Sequence, residues 1–115
     1  GWAVNGEVST RTNTVTWISS TPASTSSENL ISNIYTSGSL HTGNSMWLDG
    51  ASVTRTSGSD GSIDTAASVI TIGATREGLA RHFDGTIQEV IIYTSDQSAN
   101  RAAIEANINN QYDIY

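Results

Sequence analysis

Phe83-Asp84-Gly85-Thr86-Ile87-Gln88-Glu89-Val90-Ile91-Ile92-Tyr93 is the most apolar stretch of the chain. Asp84-Gly85 supplies a turn, and the eight residues after it are rich in β-branched and aromatic side chains. Strand alternation puts Ile87, Ile91 and Tyr93 on one face and Val90 and Ile92 on the other. A strand that is apolar on both faces needs cover on both. The stretch therefore predicts a second sheet on one side and a different element on the other. That element follows at once. From Ser98 onward, Ile104, Ile108 and Tyr112 recur at i, i+4 and i+8, which is one helical stripe. Ser95 or Ser98 is placed to accept the free N–H groups of its first turn. The spacing predicts one short C-terminal helix, with Ile104 and Ile108 packed on the outer face of strand 86–93.

Upstream, the strand candidates are short: Thr14–Ile18, Leu30–Tyr35, Val69–Ala74, and two arms around Asp49-Gly50. Asn5-Gly6 and Asp49-Gly50 favour the positive φ angles of a two-residue type I′ turn. The second is the stronger hairpin signal, because Met46, Leu48 and Val53 flank it. The segments Ser19–Asn29 and Thr56–Ser62 have loop composition. No repeat of solenoid or propeller period is visible.

The composition agrees with an all-β domain. Of 115 residues, 17 are Ser and 15 are Thr, with nine Asn; twelve Ile and six Val set the chain apart from disordered sequences. The length suits a single domain spanning 1–115. The formal net charge is -6, all five cations are arginine, and lysine is absent. An acidic chain lacks the basic face that phosphate backbones require, so no nucleic-acid partner is expected. Without lysine there is no Schiff-base or P-loop chemistry. Without cysteine there is no disulfide framework, thiolate metal site or thiol nucleophile. No apolar run reaches the roughly 20 residues of a membrane span, so no membrane insertion is expected. Gly1-Trp2-Ala3-Val4 has neither a basic nor an apolar leader region, and the chain is expected to start at a processing boundary.

The ending also resembles a known family. Phe83 to Tyr93 followed by Ser95-Asp96-Gln97, Asn100-Arg101, Ile104-Glu105, Ile108 and Tyr112 is similar to the end of concanavalin A-like, laminin G-like jelly-roll domains. In these, a strand of form F-x-G-x-I-x-E-V-x-I-Y leads into a short helix. Asn44-Ser45-Met46-Trp47-Leu48-Asp49-Gly50 resembles the family's strand-turn-strand hairpin, and Ile70-Thr71-Ile72-Gly73-Ala74 its I-x-I-G strand. The resemblance covers roughly Asn44 to Tyr112. It implies a two-sheet antiparallel jelly-roll sandwich with one short C-terminal helix. Complete domains of this family are longer, so the chain is expected to be a minimal version, a truncated one, or one completed by a partner chain. Domains with this ending are abundant in bacteriophage and bacterial surface proteins, which implies a virion or extracellular location.

Catalytic constellations are not found. The family's glucanases carry E-x-D-x-x-E on one strand, and retaining glycosidases need two carboxyl groups ~5–5.5 Å apart. Glu89 stands alone between Ile87 and Ile91. His41 and His82 show no metal spacing, so no metal site is assigned. No G-x-S-x-G elbow is present. The chain is read as non-enzymatic and without a cofactor. Family members often hold Ca²⁺, and Asp49, Asp60 and Asp64 lie in or near loops, but Asp-Gly is equally what a turn requires.

Two readings of function follow. The first is a non-catalytic structural or assembly domain of a virion or other extracellular particle, contacting other copies or other structural proteins. Trp2, at the chain end, and Arg76, in the loop before the last strand, are its interface candidates. The alternative is a lectin-like module for glycans. There Trp47 would be the stacking platform, with Asn44, Asp49, Arg81 and His82 as polar neighbours. Tryptophans on strands of a small β domain are more often core than platform, which applies to Trp17 and Trp47.

Overall fold

The computed structural model describes residues 7–12, 15–24, 26–62, 72–73 and 83–115. The chain divides into two compact units: Gly1–Asp64 with Ser95–Tyr115, and Thr65–Thr94. The first unit carries two three-stranded antiparallel sheets. One is built from β1 (Glu7–Thr12), β2 (Val15–Pro22) and β6 (Arg55–Ser57), with β2 central. The other is built from β3 (Ile31–Tyr35), β4 (Asn44–Leu48) and β5 (Ala51–Ser52), with β4 central. A single helical turn, α1 (Leu40–Gly43), precedes β4, and a longer helix, α2 (Arg101–Tyr112), closes the unit.

The β4–β5 hairpin forms where Asp49-Gly50 places it. Leu48 pairs with Ala51 and Trp47 with Ser52. Asp49 has φ 50° and Gly50 φ 78°, so both central residues take the positive values of a type I′ turn. The Asp49 carboxylate accepts the Leu30 N–H at 2.7 Å, which ties the turn to the start of β3.

The turn fixes which side chains go inside. Along β4, Asn44, Met46 and Leu48 are buried, Ser45 is exposed and Trp47 is half-buried. Met46 and Leu48 meet Val53 and Leu40, and Ala23 packs against this cluster. Leu40 is fully buried and comes from α1, an element the sequence reading did not anticipate. Ser39 caps that turn, its hydroxyl accepting from the Thr42 N–H. Gly43 closes it so tightly that a Cβ there would lie 2.0 Å from the Ser37 carbonyl oxygen. From 21 residues further on, Asp60 locks the same turn. Its carboxylate accepts the His41 N–H and the Ser39 hydroxyl, both at 2.9 Å, while the Leu40 N–H donates to the Gly61 carbonyl.

The expected jelly-roll sandwich is not formed among the described residues. Among the described residues no strand runs through 83–93. Phe83, Ile87, Val90, Ile91, Ile92 and Tyr93 are 45–62% exposed, where a covered strand would bury them. Alternating residues code for a strand, but a strand exists only beside another that accepts its hydrogen bonds, and this information is not local. Of the Val69–Ala74 candidate, only Ile72 and Gly73 are described. They form a bend in which Gly73 has φ 73°, incompatible with a continuing strand. Smaller boundaries shift too: β2 runs on to Pro22, and Thr56 and Ser57 belong to β6. Asn5-Gly6 lies outside the described residues.

Two outcomes are expected. Leu40→Ala removes the centre of the cluster and lowers unfolding free energy by ~2–5 kcal/mol in denaturant titrations. For Asp60, the His41 N–H, with help from the Ser39 hydroxyl, holds the carboxyl below its usual 3.8. A depressed value means the contribution is complete above 3.8 and is lost as pH falls through the folded value. Acid titrations of Asp60→Asn should therefore show a shallower fall in stability below that pH than the parent chain.

Candidate functional site

α2 meets the hairpin through Arg101, with Glu105 beside it. Ile104, Ile108 and Tyr112 are half-buried, as is Arg101, whereas Glu105 is the buried residue of the helix at 3% exposure. Arg101 and Glu105 stand one turn apart, i and i+4, and form an ion pair through the Arg101 Nη1 and Glu105 Oε2. The Arg101 guanidinium sits over the Trp47 ring, 4.5 Å from its centroid. This is cation–π geometry, and it fastens the first turn of the helix to β4. With strand 86–93 absent, the expected seat for Ile104 and Ile108 does not form. Neither Ser95 nor Ser98 caps the helix. Its N-cap is Asn100, without a side-chain cap bond, and Ser98 instead donates its N–H to Asp96.

The far end of α2 returns the chain to the same hairpin. Asp113 takes the left-handed conformation, φ 55°, and its N–H donates to the Asn109 carbonyl. The Asn109 side chain then accepts the N–H groups of Ile114 and Tyr115 and donates to the Tyr115 carbonyl, at 2.7–2.9 Å. This holds the Tyr115 ring over the turn, where a Cβ on Gly50 would lie 3.0 Å from its hydroxyl oxygen. Partial burial raises the Tyr115 hydroxyl above its ordinary value. The Glu105 and Asp49 carboxylates push the same way and Arg101 opposes them.

The candidate glycan residues do not converge as a platform. Trp47 has one ring face taken by Arg101. Asn44 points to the opposite face of β4 and is buried, with no hydrogen-bond partner for its Oδ1 or Nδ2. Asp49 is committed to the Leu30 N–H. Arg81, His82, Trp2 and Arg76 lie outside the described residues, as does Asp64 of the calcium candidates. Asp49 and Asp60 both spend carboxylate oxygens on backbone N–H groups. Among the described residues no group of three His, Cys, Asp or Glu side chains gathers.

The cluster that does form is Trp47, Arg101, Glu105, Asp49 and Tyr115. Arg101 and Glu105 at i, i+4 were a legible ion pair, but nothing local indicates that it faces inward. The second Glu105 oxygen, Oε1, is buried without a partner. A half-satisfied buried carboxylate depends strongly on the partner it has. Arg101→Met is therefore expected to cost ~3 kcal/mol of stability, and the double change Arg101→Met/Glu105→Leu much less, as read by thermal unfolding.

In comparisons with known proteins, no family model, curated protein or solved structure matches the chain.

Proposed function

We propose that this chain is a non-catalytic assembly domain of a virion or other extracellular particle, contacting other copies of itself or neighbouring structural proteins. The observation that carries the reading is the exposed apolar stretch. Six large side chains, from Phe83 to Tyr93, are roughly half accessible in a run of eleven residues. Soluble chains seldom expose contiguous apolar patches beyond a few hundred Å², and larger ones mark contact with another macromolecule. The particle part of the reading draws on composition: a surface rich in Ser and Thr, sparse in charge and free of lysine. It draws also on the resemblance of the motif order between Asn44 and Tyr112, although the sandwich implied by that resemblance is not formed among the described residues.

The glycan-binding reading gains little from Trp47, because Arg101 already covers one face of its ring and the residue is half-buried. Size-exclusion chromatography with light scattering separates the two. A mass of at least twice the single chain without any sugar is the expected result. A strict monomer whose tryptophan emission shifts with galactose-, glucose- or sialic acid-terminated oligosaccharides would overturn it in favour of the glycan module.

A further inference from the structure

Among the described residues β3 is an edge strand. Its ladder with β4 is bracketed by two backbone bonds, Asp49 N–H to Leu30 C=O at 2.9 Å and Thr36 N–H to Gly43 C=O at 3.0 Å. Bonded and non-bonded pairs alternate along an antiparallel ladder, so Ser32 and Ile34 direct their backbone groups at β4, and Ile31, Asn33 and Tyr35 direct theirs away. Opposed residues share a face of the sheet. Ile31 is opposite Leu48 and Asn33 opposite Met46, so the row of Ile31, Asn33 and Tyr35 lies on the face that carries the buried cluster. Leu48 and Met46 are inside, yet Ile31 is 51% exposed, Tyr35 40%, and Asn33 is exposed as well. The apolar face of this sheet thus runs out to an open margin at β3.

Natural edges are usually blunted by charge, proline or a bulge. β3 reads Ile-Ser-Asn-Ile-Tyr, with no charge and no proline, and its register with β4 is unbroken. The other edges among the described strands are protected. β1 carries Glu7 and Arg11 and a register shift, β6 begins at Arg55, and β5 has two residues.

We propose that β3 of one copy pairs antiparallel with β3 of a second copy about a two-fold axis at Asn33, joining their two three-stranded sheets into one. The inference rests on the assembly reading above and names the edge through which copies meet. The strand is self-complementary. With Asn33 opposite its own counterpart, Ile31 of each copy lies opposite Tyr35 of the other, and every outward N–H and C=O of β3 gains a partner. A shift by two residues leaves one end unpaired, and a shift by one sets outward groups against groups already spent on β4. Charge favours the same arrangement. Each copy carries -6, so close approach needs a neutral meeting place. Glu28 and Asp49 stand at the Leu30 end of the ribbon, whereas Thr36-Ser37-Gly38 at the Tyr35 end is uncharged. Antiparallel pairing sets the acidic end of one copy against the neutral end of the other, and parallel pairing would put like acids side by side. Main-chain bonds along the edge provide affinity, and the Ile31–Tyr35 contact, made twice by symmetry, provides register. A five-residue ribbon covers less than the ~800 Å² per partner of a standard interface, so the pair is reversible and forms with rising concentration.

Asn33 sits on the proposed axis with an exposed side chain, so one position tests the geometry. Asn33→Glu and Asn33→Lys each oppose like charges across the axis. Each alone should halve the mass found by light scattering at a concentration where the parent chain is associated, with far-UV circular dichroism checking that the fold is kept. Mixed in equal amounts, the two variants should regain the parent mass, a result that only contact of residue 33 with its own counterpart predicts. The chain has no native cysteine, so mild oxidation gives a second readout. Asn33→Cys should form a disulfide-linked dimer, because bonded antiparallel pairs hold their Cα atoms ~5.5 Å apart, within reach of a disulfide. Ser52→Cys, exposed on β5, should cross-link far less. Charged variants that keep the parent mass, or a mixture that stays at the halved mass, leave the assembly reading standing and overturn the β3 pairing. Equal cross-linking at positions 33 and 52 overturns it too. A parent chain that is monomeric at every concentration overturns both readings.

Discussion

A two-residue reversal of the backbone governs the described structure. At Asp49-Gly50 both residues sit at positive φ, which only a short list of side chains tolerates. Because strand periodicity is two, that turn decides that Met46 and Leu48 face the same way and that Val53 joins them. A one-residue slip would bring Ser45 and Trp47 inside instead. The turn is held on two sides: its own carboxylate fastens the start of β3, and the Tyr115 ring lies against its glycine. A side chain at position 50 would be opposed both by the backbone angle and by the phenol above it.

The second organising contact is electrostatic. α2 approaches the hairpin with Arg101 and Glu105. Burying a carboxylate is unfavourable unless it is paired, and the guanidinium does two things at once: it neutralises Glu105 and spreads over the indole of Trp47. Geometry of this kind specifies position more than it adds stability. An apolar row slides with little change in energy, while a planar cation between a ring and a carboxylate has one good placement.

What the residues disclosed and what they concealed follow a physical division. Asp49-Gly50 was legible because a type I′ turn is a property of two residues. The C-terminal helix was legible because Ile104, Ile108 and Tyr112 keep helical spacing. β3 was found to within one residue from its own apolar content. The expected sandwich is not formed among the described residues, because the strand propensity of Thr86–Tyr93 does not by itself supply a neighbouring edge. Leu40 went unnoticed because α1 has a single turn, too short for periodicity, although Ser39 and Gly43 mark its two ends. Nothing around position 47 reveals that an arginine more than fifty residues away covers the Trp47 ring, so its suitability as a sugar platform is not legible locally. Asn44, chosen for its polar side chain, proved to face the interior, since neighbouring Met46 and Leu48 set the parity of the strand.

The lock on α1 has a bearing on the order in which the chain organises. The hairpin around Asp49-Gly50 is local, and such pieces assemble in microseconds. The innermost leucine, however, is sealed by Asp60 and Gly61, so a loop of about twenty residues must first close around the hairpin, with the entropy that closure forfeits. The nascent cluster of Met46, Leu48 and Val53 thus waits, partly wet, for a segment synthesised after it. Loop-closure entropy thus makes the return of that distant strap, rather than the hairpin it completes, the slower step to expect.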